Sequence, residues 1–548
     1  MKKISALLTF GLLFHTSPES IIVNDYESSY LEQFDDEDDD FSIDTDLNNI
    51  SLTNTHNLSM YRTPTSNAET ISILLGAAGD AISILNNPIY QRTSPVLNRP
   101  ILESPFSLTY GFDIKENSDL SLTLFLNTWS QKNYTKDSAD LVSYFAVGNQ
   151  KNAAYLQSFA DVSGTDEDYA LSFSEAVALF DSVKIQENRI GGILQSYVTH
   201  NKFNLIIQLP VLYSERNLFL TDTEKNAISN STLGSLLQSN NVDANDFTYN
   251  HLVMDQFGIG DLKFKTMYEL YQSDKLDVNL GGFIILPTAT ALQKGIIGTW
   301  FDQNNDRSYL DLTTIDPVSI TKKNYSDIND FFLAAIDKLS SNVLHCPLGN
   351  NGHVVVAPSI NTDWFFAENW QLSNDCSLQI SLPTNEQRFY QKIQSEEDFF
   401  NSYDPLLQAS GDSGADAIRL VDFVSQELQD LFFPYVFSTR VSPGTVFNST
   451  NQFVYHYDAY DFYVGSNFWY NGAESLKIPE GDIQRPYTYD YAGVAASSAA
   501  QEKLFCRMNY NLDIANYSWS LSLYGDITIW NSGIGKDYTL GLSVDCKF

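Results

Sequence analysis

The last twelve residues of the chain, 537–548, alternate without a break. Tyr538, Leu540, Leu542, Val544, Cys546 and Phe548 fall on one side, and Asp537, Thr539, Gly541, Ser543, Asp545 and Lys547 on the other. Successive side chains of a strand point to opposite faces, so a period of two gathers all six apolar groups on one face. That face is long enough for a tilted membrane strand, which needs about 9–11 residues. An ordinary half-buried strand of a water-soluble sheet has the same pattern, and the rest of the chain decides between the two.

The alternation recurs. In 119–127, Leu120, Leu122, Leu124 and Leu126 oppose Ser121, Thr123, Phe125 and Asn127. In 517–529, Tyr517, Trp519, Leu521, Leu523, Ile527 and Ile529 oppose Ser518, Ser520, Ser522, Asp526 and Thr528. The polar faces are mostly Ser, Thr, Asn, Asp and Gly, which suits a crowded hydrated interior better than a surface rich in Lys and Glu. Thirteen such segments are legible, near 105–114, 119–129, 187–199, 203–213, 257–271, 276–286, 352–366, 370–383, 434–456, 461–471, 501–513, 517–530 and 536–548. Pro443-Gly444 inside 434–456 implies a bulge or a strand running beyond the membrane.

The connections alternate too. Those at 115–118, 199–202, 272–275, 366–369, 457–460 and 514–516 are tight, and between them fall long ones at 130–186, 214–256, 287–350, 384–433 and 472–499, then a short one at 531–535. Short turns on one side and long loops on the other are the habit of outer-membrane barrels. The expectation is therefore an all-β chain forming a closed antiparallel transmembrane β-barrel of about 14 strands, within 12–16, over residues 105–548. An even number requires one more ascending element before 105, so residues 68–104 supply either a plug or a first strand, with part of them in the lumen. The long loops carry helical patterns at 172–183, 326–342 and 415–432, read as extracellular elements packing over the mouth.

Lys2 and Lys3 followed by the apolar stretch 4–14 read as a secretory signal peptide over 1–20. No stretch approaches the 18 consecutive apolar residues of a membrane helix. Residues 21–67 read as an acidic disordered periplasmic segment, with the run 32–46 at its centre. A net charge of −36 argues against a nucleic-acid partner. Cys346, Cys376, Cys506 and Cys546 have no metal-ligand spacing. Cys506 and Cys546 sit on strands separated by one other, beyond disulfide reach. None of the seven histidines lies in a catalytic motif, so no catalytic residue, metal or cofactor is expected.

The stretch 257–290 holds Gly258, Gly260 and Asp261 at the head of one segment and Gly281, Gly282, Pro287 and Thr288 along the next, with Ala289 where a glycine is usual. It resembles a pattern of the outer-membrane fatty-acid transporter and aromatic-degradation protein group. The resemblance implies an outer-membrane barrel taking up small apolar molecules passively. Phe548 resembles the C-terminal signal read by the outer-membrane assembly machinery, which would be a transient partner beside the lipid and an unknown small solute.

Charged side chains cannot face lipid cheaply. Asp261, Lys263, Lys265, Glu269, Arg507, Asp513, Asp526 and Asp545 are therefore expected to line the lumen, with Lys547 beside them. They make either a charge-lined pore that selects solutes or a filled lumen held shut by paired charges. The leading reading is a bacterial outer-membrane porin or transporter for small solutes. The alternatives are a structural or adhesive surface barrel with a closed lumen and a secreted soluble β-protein. No segment specifies an oligomeric state.

Overall fold

The computed structural model describes residues 95–108, 118–131, 184–219, 249–295, 343–390, 392–393, 435–477, 488–489, 493–514 and 517–547, with 222, 225, 226 and 491. The signal peptide, the acidic segment, residues 68–94, the three helical loop patterns and Phe548 lie outside them.

In chain order the strands begin with β1 (Ser118–Gln131), β2 (Lys184–His200), β3 (Phe203–Phe219), β4 (Val253–Ile259), β5 (Leu262–Gln272), β6 (Leu276–Leu286) and β7 (Thr290–Lys294). Next come β8 (Val355–Ala367), β9 (Trp370–Ser381), β10 (Thr384–Tyr390), β11 (Lys392–Ile393), β12 (Tyr435–Ser442) and β13 (Val446–Tyr457). The last are β14 (Tyr460–Asn471), β15 (Ser475–Lys477), β16 (Thr488–Tyr489), β17 (Ala499–Ile514), β18 (Tyr517–Ser532) and β19 (Lys536–Lys547).

Each barrel strand pairs antiparallel with its chain neighbour, and β19 returns to pair with β1, Leu124 opposite Leu542. β4 and β5 follow one another along β3 as a single interrupted strand, and β6 and β7 do the same beside them. The wall therefore has twelve members and no open edge. This corrects the preferred count of fourteen to the lower end of the expected range. The segment 105–114 is not a wall strand where it is described. Ile101–Glu103 is a 3-10 turn and Pro105–Leu108 a single helical turn. The alternation there was genuine, but β1 already has β2 on one side and β19 on the other. With 105–114 removed, the count is even and no ascending element is missing.

The tight connections between β2 and β3, β5 and β6, β8 and β9, β13 and β14, and β17 and β18 share one end with the start of β1 and the end of β19. The longer ones share the other. Asn201 and Asp458 open two of the turns with φ of 54° and 53°, a conformation that short amide and carboxylate side chains tolerate. At the loop end the wall projects upward. β10, β12 and β15 form a three-stranded sheet beyond the barrel, and β11 pairs with β16. Pro443–Thr445 separates β12 from β13 as the break in 434–456 foretold.

The polarity of the cylinder is reversed relative to a soluble protein. Leu120, Leu124 and Leu540 are 53%, 50% and 56% exposed on the outside, while Lys503 and Glu187 are fully buried on the inside. An exposed apolar surface on this scale exceeds what a soluble monomer shows.

Candidate functional site: the plugged lumen

Residues 95–108 run down the inside of the barrel as a strap. Its upper end lies at the loop end: Asn98 Nδ2 donates to Glu187 Oε2 at 2.8 Å, and Arg216 Nη1 donates to the Val96 carbonyl at 3.3 Å. Its lower end reaches mid-barrel, where Gln208 Nε2 donates to the Ser107 carbonyl at 3.0 Å. Between them the wall holds the strap mainly through its backbone. Arg189 Nη1 donates to the Arg99 carbonyl at 2.7 Å, Lys263 Nζ to the Leu102 carbonyl at 3.2 Å, and Asn448 Nδ2 to the Glu103 carbonyl at 3.1 Å. A segment with so little regular structure leaves carbonyls that must find donors when buried, and the inward Lys, Arg, Asn and Gln side chains supply them.

Two charged side chains of the strap bind the opposite wall. Arg99 Nη2 donates to Asn467 Oδ1 at 2.6 Å, and its guanidinium lies 5.7 Å from the centroid of the Trp469 ring. Trp469 Nε1 donates to Glu103 Oε2 at 2.6 Å. The apolar side chains of the strap, Ile101, Leu102 and Phe106, join Phe125, Ile193, Leu212, Phe283, Ile285, Phe505 and Tyr524 from the wall in one buried cluster. Phe106 packs 5.2 Å from Phe125 and 5.8 Å from Tyr524, centroid to centroid. The lumen wall thus carries an apolar belt around the strap as well as its polar and charged groups.

Of the expected lumen residues, Asp261, Lys263, Lys265, Glu269 and Asp526 are buried on the inner face. Lys265 Nζ bonds Asp375 Oδ2 at 2.8 Å across the lumen, and Glu269 meets Lys202 at 3.4 Å near the turn end. Arg507 lies 3.8 Å from Asp545 and donates to Asn509 and Ser522. Asp513 differs: it is exposed at the turn-end rim, accepting from the Ser518 hydroxyl. Two clusters were not picked out by sequence. In one, Lys503 Nζ binds Asp526 at 3.0 Å and Asp537 at 2.5 Å. In the other, Glu187 lies 2.6 Å from Arg189 and 2.5 Å from Arg216. Each is a buried charge held by partners from neighbouring strands, the arrangement that buried ions require.

The stretch 257–290 forms a clamp. The wall is interrupted at the same height on both strands, between β4 and β5 at Gly260-Asp261 and between β6 and β7 at 287–289. Thr288 Oγ1 accepts from the Leu262 amide at 2.9 Å. The Asp261 carboxylate accepts from the Ala289 amide at 3.0 Å and the Asn350 amide at 2.6 Å. A Cβ at Gly281 would lie 2.0 Å from the Thr266 carbonyl, so this close approach needs a glycine. Asp261 thus ties two interrupted strands to the loop segment 343–353. Asp261→Ala should cost about 3 kcal/mol, since bonds to a charged acceptor contribute roughly 1.5–3 kcal/mol each. Urea unfolding in detergent, followed by tryptophan fluorescence, measures it.

Alongside the strap, against its Val96, Asn98 and Glu103, lies a cavity of about 180 Å³ also lined by Arg189, Arg216, His353, Glu386, Arg388 and Trp469 among others. At its rim His353 has Nδ1 2.8 Å from the Leu382 carbonyl and Nε2 2.5 Å from Glu386. Arg388 Nη2 lies 3.0 Å from Glu386 and 3.1 Å from Glu474. Burial works against a charge on His353, but two acceptors hold both its protons and the net pKa is raised. That contribution is complete below the unfolded value near 6.5 and disappears as pH rises through the higher folded value. His345 is opposite. Burial, reinforced by Arg216, brings it down to about 4, so stability falls as pH drops from about 6.5 toward 4. Docking of the 343–353 segment should therefore be tightest in mildly acidic to neutral solution. Hydrogen exchange across pH measures this, and His353→Gln should remove only the alkaline step.

No family model and no curated protein matches the sequence. Among solved structures, an outer membrane channel from Pseudomonas putida F1 is 10% identical, with 80% of this chain and 100% of that chain covered and a TM-score of 0.38. The transport unit of the autotransporter AIDA-I from Escherichia coli is 6% identical over 82% and 95%, with a TM-score of 0.29. The Pseudomonas putida toluene transporter TodX is 7% identical over 83% and 95%, also with 0.29. The closed antiparallel β-barrel is established by the strand pairings of this chain itself.

Proposed function

We propose that the chain is a bacterial outer-membrane channel for small solutes whose passage is gated by its own residues 95–108. The observation that carries the membrane part is the exposed apolar exterior. It is edged near the turn end by Trp364, Phe366, Trp370, Tyr457, Tyr460, Tyr517 and Trp519 and near the loop end by Phe257, Tyr470, Trp530 and Tyr538. Two such girdles mark the boundaries of hydrocarbon on a membrane barrel. The passage is supported by the loop-end cavity and by inward Lys263, Lys265, Glu269, Asp526, Arg507 and Asp545 along the wall below it. The strap lies across that path, anchored mostly by hydrogen bonds that water can replace.

A closed surface barrel is the second reading, favoured by the Phe106–Phe125–Tyr524 packing. Proteoliposome swelling separates the two. A channel should admit small neutral and charged solutes at different rates, with the charged ones sensitive to Lys265→Glu. Liposomes that swell no faster than protein-free ones for every solute would leave the closed barrel standing.

A further inference from the structure

Two side chains of the loop-end cavity keep hydrogen-bonding capacity in reserve. Arg388, on β10, lines the cavity and is 4% exposed. Its Nη2 is held by Glu386 and Glu474, but Nε and Nη1 are buried and meet no acceptor among the described residues. Asn471, the last residue of β14, follows Asn467 and Trp469 in inward phase and lines the same cavity. Its Oδ1 is buried and accepts from no donor among the described residues. The two are linked through Glu474, which stands just after Asn471 in the chain and holds Arg388 at 3.1 Å. A buried donor or acceptor with nothing to bond costs free energy, which a matching ligand recovers.

The charges around the cavity are already matched. Arg189 and Arg216 share Glu187. Glu386 is engaged by His353 and Arg388, and Glu474 by Arg388 and the Ala496 amide at 3.0 Å. An anion at Arg388 would have both carboxylates beside it, a cation would face the guanidinium, and either would lose its water. Much of the remaining lining is apolar, including Leu97, Ile101, Ile285, Leu348 and Val446. Leu97 packs against the buried group of Val446, Trp469, Ala499 and Ile534, and Leu348 against the cluster around the strap. The volume, about 180 Å³, suits one ring, since an apolar cavity of roughly 150 Å³ takes up benzene.

We propose that this cavity binds an uncharged single-ring solute carrying an acceptor beside a donor, a carboxamide or lactam being the plainest case. The carbonyl accepts from Arg388 and the N–H donates to Asn471 Oδ1. The inference rests on the channel reading above and names the class of solute that the mouth selects. An apolar lining with a few placed polar groups is the usual build of a small-molecule site, the polar groups fixing orientation. An amide edge offers an acceptor and a donor together. A hydrocarbon of the same size would fill the apolar part and leave both buried groups unpaired, which is how such a site rejects it. Val96, Asn98 and Glu103 line the cavity too, so the bound solute lies against the strap.

The test is equilibrium dialysis of labelled benzamide against the full-length protein in detergent micelles, with protein-free micelles as the blank. Benzamide should bind saturably. Toluene, benzoate and N,N-dimethylbenzamide, which lacks the N–H, should each compete about tenfold less well or worse, the size expected for one lost bond to a buried group. Asn471→Leu should bring benzamide and N,N-dimethylbenzamide to equal affinity. No saturable binding, competition by toluene or benzoate as strong as by benzamide itself, or an unchanged preference in Asn471→Leu overturns the proposal. Replacing Arg388 would unpair Glu386 and Glu474, so the cavity is tested instead by Leu348→Trp, which fills it and should abolish binding. Full binding by Leu348→Trp also overturns the proposal, and heat-modifiable gel mobility checks that each variant is folded. Swelling of proteoliposomes in benzamide reports passage separately. Binding without passage keeps the site and retires the channel, and passage without binding does the reverse.

Discussion

Replacing residues 95–108 by a Gly/Ser stretch of equal length should turn a poorly conducting barrel into a steadily conducting one. The wall does not need the strap for closure, because every wall strand is hydrogen-bonded to two others and β1 meets β19 directly. The strap contributes Ile101, Leu102 and Phe106 to the buried apolar cluster inside the wall. Without them, Phe125, Phe505 and Tyr524 lose their central partners and the wall donors that held strap carbonyls turn to water. Eight strands leave an interior that side chains just fill, and diameter grows with strand number, so twelve without the strap leave an aqueous path. Planar-bilayer recordings should show mean conductance rising well above that of the parent, since a wider unfilled interior carries more ions. A Gly/Ser variant that inserts normally yet conducts no better than the parent would sink the gating role.

Glu187→Leu should be the most damaging single substitution in the wall. Its carboxylate accepts from Arg189, Arg216, Ser214 and Asn98, bringing β2, β3 and the strap together. Removing it leaves two guanidiniums facing each other in a buried site, and breaking such a group by deleting one partner costs about 3–5 kcal/mol. The loss should appear as a lower urea midpoint in tryptophan-monitored unfolding. Because Asn98 loses its acceptor too, the upper strap should also gain hydrogen exchange. Glu187→Gln, which keeps the shape and one acceptor, should fall between. Wild-type stability in Glu187→Leu would mean that the arginines find other partners and the cluster is not a fastening point.

The cylinder was readable because its rule is local. A lipid-facing wall forces apolar groups onto alternate positions, and Leu120 to Leu126 or Leu540 to Val544 display that within a few residues. The same rule misled at 105–108, a single helical turn, because alternation states which side chains share a face but not whether a neighbouring strand is available. Lys263, Lys265 and Asp526 fall on the buried inward face for the same local reason. Their partners were not readable. Lys265 bonds Asp375 from a strand 110 positions away, and Arg99 bonds Asn467 from 368 positions away. Such pairs are set by closure of the ring, which no single segment encodes. Asp513 shows the limit from the other side: its phase along the strand is inward, but its height brings it to the wet rim.

The direction of the strap constrains how the molecule is put together. It descends from the loop end to mid-barrel, and β1 then starts at the turn end and climbs back. If the seam between β1 and β19 zipped first, residues 95–108 would have to be drawn lengthwise into a finished ring. Threading of that kind is almost absent from protein topologies. The strap must therefore be laid down while the sheet is still an open trough, with β19 closing over it last. β19 is then the final stave of the cask.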